Sequence, residues 1–277
     1  MSTATHNDSD YVEAPVNYLE NSAKKPVTYL YEPPVGVTIR SGRTTKHWMK
    51  IRNARRAVNE LTLDRQGFAF VRHQTHVANF YDPEEVTRVY YPEVELLLKE
   101  VTGAIRVHVF DYNVRCRPMA KRGENGAREP VKFAHNDYTL KSGPQRVRDL
   151  LPSEADELLK HRFAEINVWR PIRGPVEESP LAVCDATSMT PQDFVATDLK
   201  YRDRTGEVYS VVFNPNHRWF YIPQMQRDEA LLLKCYDSAD DGRARFTAHT
   251  GIDDPTSASD AAPRESIEVR TLVFFAE

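Results

Sequence analysis

The feature that most constrains the fold is a succession of seven short apolar segments in the second half of the chain: EINVWRPI, PLAVCDA, EVYSVVF, RWFYIP, ALLLKCYDS, ARFTAHT and SIEVRTLVFF. They read as strands, because they are short, rich in β-branched and aromatic residues, and separated by turn-forming stretches. Helical signals concentrate earlier. Asp82 is placed to cap a helix, Pro83 suits its first position, and Glu84 and Glu85 suit its first turn. The helical spacing then continues, with an interruption near Pro92, to a stop at Gly103. Gly67 marks a turn before a short strand, AIRVHVFDYNVR at 104–115 alternates as a strand, and 118–130 reads as a charged loop. Ser153 with Asp156 opens another helix, with Leu158, Leu159 and Phe163 as its apolar stripe, and Thr190–Pro191 opens at most a short one. Helices first and many strands afterwards predict a mainly β, jelly-roll-like core with helices packed on one sheet.

The 277 residues fit one domain over 25–277, preceded by a polar segment, 1–24, expected to be flexible. A net charge of −3 and a pI near 6.3 argue against a nucleic-acid or membrane-surface partner. The basic stretch at 43–56 reads as an exposed face with Trp48 and Ile51 packed beneath it. Cys116, Cys184 and Cys235 stand far apart, so neither a thiolate zinc site nor a disulfide framework is indicated. With no signal-peptide pattern and no apolar run of membrane length, the expected location is cytoplasmic.

In HNDYT at 135–139, His135 and Asp137 share a parity, so on an extended chain both side chains reach one face while Asn136 points away. A later strand end supplies His249. Two neutral imidazoles and a carboxylate on one side of an octahedron form the facial triad of non-heme Fe(II) oxygenases, which leaves three positions open. Near the C-terminus, Arg264, Ser266, Glu268 and Arg270 alternate with Ile267 and Val269. A polar face on a closing strand of a β domain suits a buried carboxylate, held by an arginine fork and a hydroxyl.

His73 and His76 lack a third ligand, and His217 and His108 read as structural. In NVWRPI, Ile166 and Val168 point one way, and Asn167 and Trp169 point into the barrel if the apolar side faces the helices.

The order HxD, His, Arg-x-Ser, together with GFAFVRH, FYDPEEV, YYPEVELLL, NVWRPI, PLAVCDATS, CYDS, AHTGIDDP and PRESIEVRTLVFF, resembles the Fe(II)/2-oxoglutarate-dependent hydroxylase/desaturase family of fungal and bacterial secondary metabolism. The likeness runs from about residue 25 to the C-terminus. It implies a double-stranded β-helix holding iron through His135, Asp137 and His249. It also implies 2-oxoglutarate bound by a basic residue of the last strand, with dioxygen as co-substrate. Arg264 lies 15 positions after His249, farther than in plant-type oxygenases, so Arg264 and Arg270 compete for that role, and Arg264 with Ser266 is preferred. The expected reaction oxidises a C–H bond of a small molecule by hydroxylation, desaturation or oxidative cyclisation such as aziridine formation. Asn167, Trp169 and Arg170 are the expected substrate contacts, and Arg115, Arg117 and Arg170 offer carboxylate anchors that favour an amino acid or other small acid. The rivals are a methyltransferase-type tailoring enzyme, disfavoured by the missing glycine-rich nucleotide loop, and a non-catalytic β-barrel binding protein. The sequence leaves the oligomeric state open.

Overall fold

Alternate apolar residues in YVEAPVNYL build a strand, β1 (Tyr11–Leu19), that buries Val12, Ala14, Val16 and Tyr18. The computed structural model describes residues 9–276. Beyond β2 (Val27–Tyr29), β3 (Thr44–Asn53) pairs antiparallel with the whole of β1. The expected flexibility of 1–24 therefore fails at 11–19, and residues 1–8 lie outside the described residues. On β3 the same alternation buries Met49 and Ile51 but leaves Trp48 71% exposed, which corrects its expected place beneath the basic face.

After β4 (Phe68–Arg72) comes α1 (Pro83–Glu85), where the Asp82 carboxylate accepts from the Glu84 N–H at 3.0 Å. A π turn at Val86–Tyr90 joins it to α2 (Tyr91–Thr102), so the helix continues through the interruption expected near Pro92. Gly103, at φ +71°, terminates α2 in the left-handed region. Next follow β5 (Arg106–Arg115) and α3 (Arg117–Arg122), a helix where 118–130 was read as loop, begun by Pro118 and capped by Gly123. Then come β6 (His135–Asn136), α4 (Ser142–Leu150) and α5 (Ala155–Leu158). No apolar periodicity announces α4, whose buried positions are only Gly143 and Val147, and the residue before α5 is Glu154, which makes no side-chain cap, rather than the expected Ser153.

The remainder is β7 (Phe163–Pro171), β8 (Leu181–Cys184), β9 (Phe194–Lys200), β10 (Thr205–Val211), β11 (Trp219–Tyr221), β12 (Glu229–Asp237), β13 (His249–Gly251) and β14 (Ser266–Phe274). One sheet runs β4-β12-β7-β14-β5 and the other β1-β3-β11-β8-β13-β6-β10-β9-β2. Most neighbours are antiparallel, and the two facing sheets form a jelly roll.

Three cores follow from strand parity. Val94, Leu97 and Leu98 of α2 pack on the outer face of the five-stranded sheet against Ile166, Val168, Ile267 and Val269. The opposite parity of the same strands, with Trp169, Leu231, Leu233, Leu272 and Phe274, faces inward to Val183 and Tyr138. The larger sheet curls, since Leu19 bridges Val212 and the Ala134 N–H donates to Asn17 O, enclosing a third core around Trp219 and Tyr221. Among the described residues, no helix is long and apolar enough to cross a membrane.

Candidate metal centre

Sheet pairing, rather than sequence spacing, unites the motif. His135 of β6 lies directly opposite His249 of β13, and their rings are 4.4 Å apart. Asp137 follows two residues later on the same face, and its Oδ1 stands 3.6 Å from His135 Nε2 and 3.9 Å from His249 Nε2. One ligand atom from each of the three residues falls within 4.8 Å of the others. Their side chains are 12%, 13% and 3% exposed for His135, Asp137 and His249.

Every other polar atom of the triad already has a partner. His135 Nδ1 lies 2.9 Å from Phe133 O, and His249 Nδ1 lies 3.0 Å from Thr247 O. Those carbonyls only accept, so each Nδ1 carries the hydrogen and each Nε2 presents its lone pair. Burial and the facing His249 push His135 down to about 3, so it is neutral at physiological pH. Asp137 Oδ2 accepts from Asn167 Nδ2 at 2.8 Å and from Arg270 Nε at 3.3 Å. Burial alone would raise Asp137, but Arg270 and the two histidines hold its carboxyl below the usual carboxylate range. Oδ1 is left facing the imidazoles. This oriented donor set, with two nitrogens and one oxygen, fits a divalent first-row metal.

Beside the triad, His135, His249, Trp169, Leu181, Thr250, Arg115, Arg264 and Glu268 line a cleft. Arg264 is buried, donates from Nη1 to Ser179 O at 2.6 Å, and has its guanidinium 5.6 Å from the Trp169 ring centre. Its Nε and the Ser266 hydroxyl are buried with no hydrogen-bond partner among the described residues. Burial and the neighbouring Arg115 lower Arg264 to about 9. An arginine short of an acceptor, beside an unsatisfied hydroxyl, fits a carboxylate that the folded chain itself does not provide. Arg270 differs: Asp137, Asp111 at 2.8 Å and Glu268 at 3.7 Å already surround it.

The expected substrate contacts redistribute. Arg170 lies on the helix-facing side of β7, donating to His73 O at 3.0 Å with its guanidinium 5.1 Å from the Tyr90 ring centre. It is not in the barrel, because odd and even positions of a strand face opposite ways. That placement removes Arg170 from the site. Asn167 faces inward but holds Asp137, and Trp169 walls the Arg264 cleft. Arg115 lines that cleft too, whereas Arg117 approaches the Ser179 hydroxyl at 3.4 Å. Glu165 lies on the same face as Asn167, and that shared parity is the sequence signal that marks it as inward-facing. For the 2-oxoglutarate that the sequence resemblance leads one to expect at Arg264, Trp169→Ala should weaken binding roughly 2- to 30-fold, the range of a cation–π contact. Titration of the iron-loaded protein would check this, and unchanged 2-oxoglutarate binding with collapsed substrate oxidation would move Trp169 to the substrate side.

A family model described as an oxidoreductase/YMDC permease-like domain matches residues 16–274. The hydroxylase/desaturase efuI of Hormonema carpetanum is 32% identical over 96% of both chains. The Fe(II)/2-oxoglutarate-dependent dioxygenase nvfI of Aspergillus novofumigatus is 30% identical over 91% of both. The solved structure of the iron and alpha-ketoglutarate-dependent endoperoxidase NvfI superimposes with a TM-score of 0.87 at 28% identity, covering 97% of this chain and 99% of that one. These likenesses set aside the methyltransferase and non-catalytic alternatives. A complete set of oriented metal donors on a jelly roll, matched by such relatives over at least 91% of its length, places this chain in the hydroxylase/desaturase family of Fe(II)/2-oxoglutarate-dependent dioxygenases.

Proposed function

We propose that His135, Asp137 and His249 hold Fe(II), that Arg264 and Ser266 anchor the distal carboxylate of 2-oxoglutarate, and that the protein oxidises a C–H bond of a small metabolite precursor. The observation that carries this reading is the convergence of Asp137 Oδ1 and two imidazole Nε2 atoms whose remaining polar atoms are already bonded. When bound, the iron supplies dioxygen activation coupled to oxidative decarboxylation of 2-oxoglutarate.

The chain's own residues orient and shield. Phe133 O and Thr247 O fix the two rings, while Asn167 and Arg270 fix the carboxylate so that one oxygen faces the metal. Trp169 and Leu181 exclude water from the Arg264 cleft, which strengthens each charge-assisted bond formed there. Arg115 on the same cleft adds a second cation, and Glu268 offsets part of the combined charge.

Anaerobic addition of Fe(II) and then 2-oxoglutarate should produce a visible charge-transfer band, and admitting air should yield succinate. If 2-oxoglutarate produces no band in the iron-loaded protein, the reading fails. Hydroxylation, desaturation and oxidative cyclisation all begin from one C–H bond held beside the metal, so product analysis with an identified substrate distinguishes them.

A further inference from the structure

Along β7 from Trp169 and past Asn167, Glu165 faces inward, opposite Leu272 of β14. Glu165 is fully buried, and neither of its carboxylate oxygens has a hydrogen-bond partner among the described residues. It stands two positions along the strand from Asn167, the residue that grips Asp137. Burial pushes its carboxyl well above the ordinary range, opposed first by Arg146, with Asp137 and Arg270 as its other charged neighbours.

Arg146 lies on α4, half-buried, with its guanidinium 5.5 Å from the ring centre of Phe110 and no salt bridge among the described residues. Arg270 is already engaged by Asp137 and Asp111, so it is not free to neutralise Glu165. Tyr138, next in sequence to Asp137, and Leu272, paired with Glu165 across the sheet, belong to one apolar cluster, against which Phe110 packs beneath Arg146. A buried carboxyl without a donor lowers the stability of the fold, and such groups concentrate where a ligand completes them.

We propose that Glu165 and Arg146 are the two polar anchors of the substrate, which is a small amino acid with an apolar side chain. Its ammonium donates to Glu165, its carboxylate accepts from Arg146, and its side chain lies against Phe110, Tyr138 and Leu272. This rests on the iron and 2-oxoglutarate reading above. It replaces Arg170 with Arg146 as the acid anchor and narrows the substrate to molecules carrying both a free amine and a free acid. An ammonium would give the buried carboxylate the charge-assisted bonds it lacks. The arginine further out favours an amino acid over a simple amine.

The test uses the full chain loaded anaerobically with Fe(II) and 2-oxoglutarate. The probes are L-valine, L-leucine, L-isoleucine and L-phenylalanine, their N-acetyl derivatives, and the matching amines without the acid. At least one free amino acid should perturb the charge-transfer band and, in air, accelerate succinate formation, while its N-acetyl form does neither. Glu165→Gln should keep the band and weaken amino-acid binding about 10- to 100-fold, the loss of one charged hydrogen bond. Arg146→Gln should weaken binding of the amino acid and leave that of the amine unchanged. Glu165→Leu should raise the melting temperature of the metal-free protein, because it removes an unsatisfied buried group. The proposal is overturned if a normal band responds to none of the free amino acids, if N-acetyl forms bind equally well, or if Glu165→Leu lowers the melting temperature. Absence of the band in the unmodified protein would strike the iron reading instead, and the melting test of Glu165→Leu would still stand.

Discussion

Asp137→Ala is expected to abolish the charge-transfer band and reduce turnover below detection while leaving the protein folded. The variant removes the only oxygen donor of the triad, and two histidines alone do not make the facial site. Its effect on stability is decided by what becomes of Arg270. Stripping one partner from a buried ion pair costs about 3–5 kcal/mol when the other charge is left alone. Arg270 is not left alone, because Asp111 stays 2.8 Å away. With its amide oriented oxygen-inward, Asn113 also accepts from both Nη atoms at 2.8 Å. A modest fall in melting temperature should therefore accompany the complete loss of activity. Asp111→Ala is the control, since it removes a partner of Arg270 without touching a metal donor, and it should retain the band. Normal iron binding and turnover in Asp137→Ala would refute the triad.

What the sequence made legible was parity, and what it hid was pairing. His135 and Asp137 could be placed on one face from their spacing alone, as could Asn167 with Trp169 and Arg264 with Ser266 and Glu268. Each pattern depends only on the two-residue period of an extended chain. The meeting of His135 with His249 depends on β6 and β13 becoming neighbours across 114 residues, which no local pattern encodes. The same gap explains the errors. Arg170 was grouped with its neighbours in the chain although adjacent strand positions diverge, and it packs with His73 and Tyr90 on the helix side. For Asn167 the sequence does not say which side chain crosses from the other sheet to meet its amide, and that side chain is Asp137. Strand β1 was hidden by its polar surroundings, although Val12, Ala14, Val16 and Tyr18 keep strict alternation. Helix α4 buries so little apolar surface that periodicity could not reveal it. Glu165 carried the inward parity but drew no notice, since a lone glutamate in a strand is ordinary until its lack of a partner becomes visible.

Replacing Arg264 is expected to be the most damaging change to 2-oxoglutarate binding, and comparison with Arg270 separates two roles that the sequence left in competition. Both arginines share a face, but their surroundings differ. Arg264 lines the cleft beside His135 and His249, and its Nε and the Ser266 Oγ are buried without hydrogen-bond partners among the described residues. Arg270 is occupied by Asp137, Asp111 and Glu268. A hydrogen bond to a charged group contributes about 1.5–3 kcal/mol, so losing one raises the 2-oxoglutarate concentration required by about 10- to 100-fold. Arg264→Ala should show at least that increase while still binding iron. Arg264→Lys should recover little of it, because an ammonium cannot reproduce the planar fork or the contact with the Trp169 face. Arg270→Ala should loosen Asp137 and weaken iron binding first, with 2-oxoglutarate affinity falling only as iron occupancy falls. Titrating 2-oxoglutarate at saturating Fe(II) distinguishes the two. If Arg270→Ala alone raises the requirement under that condition, the carboxylate is anchored at Arg270 and the Arg264 cleft serves another ligand.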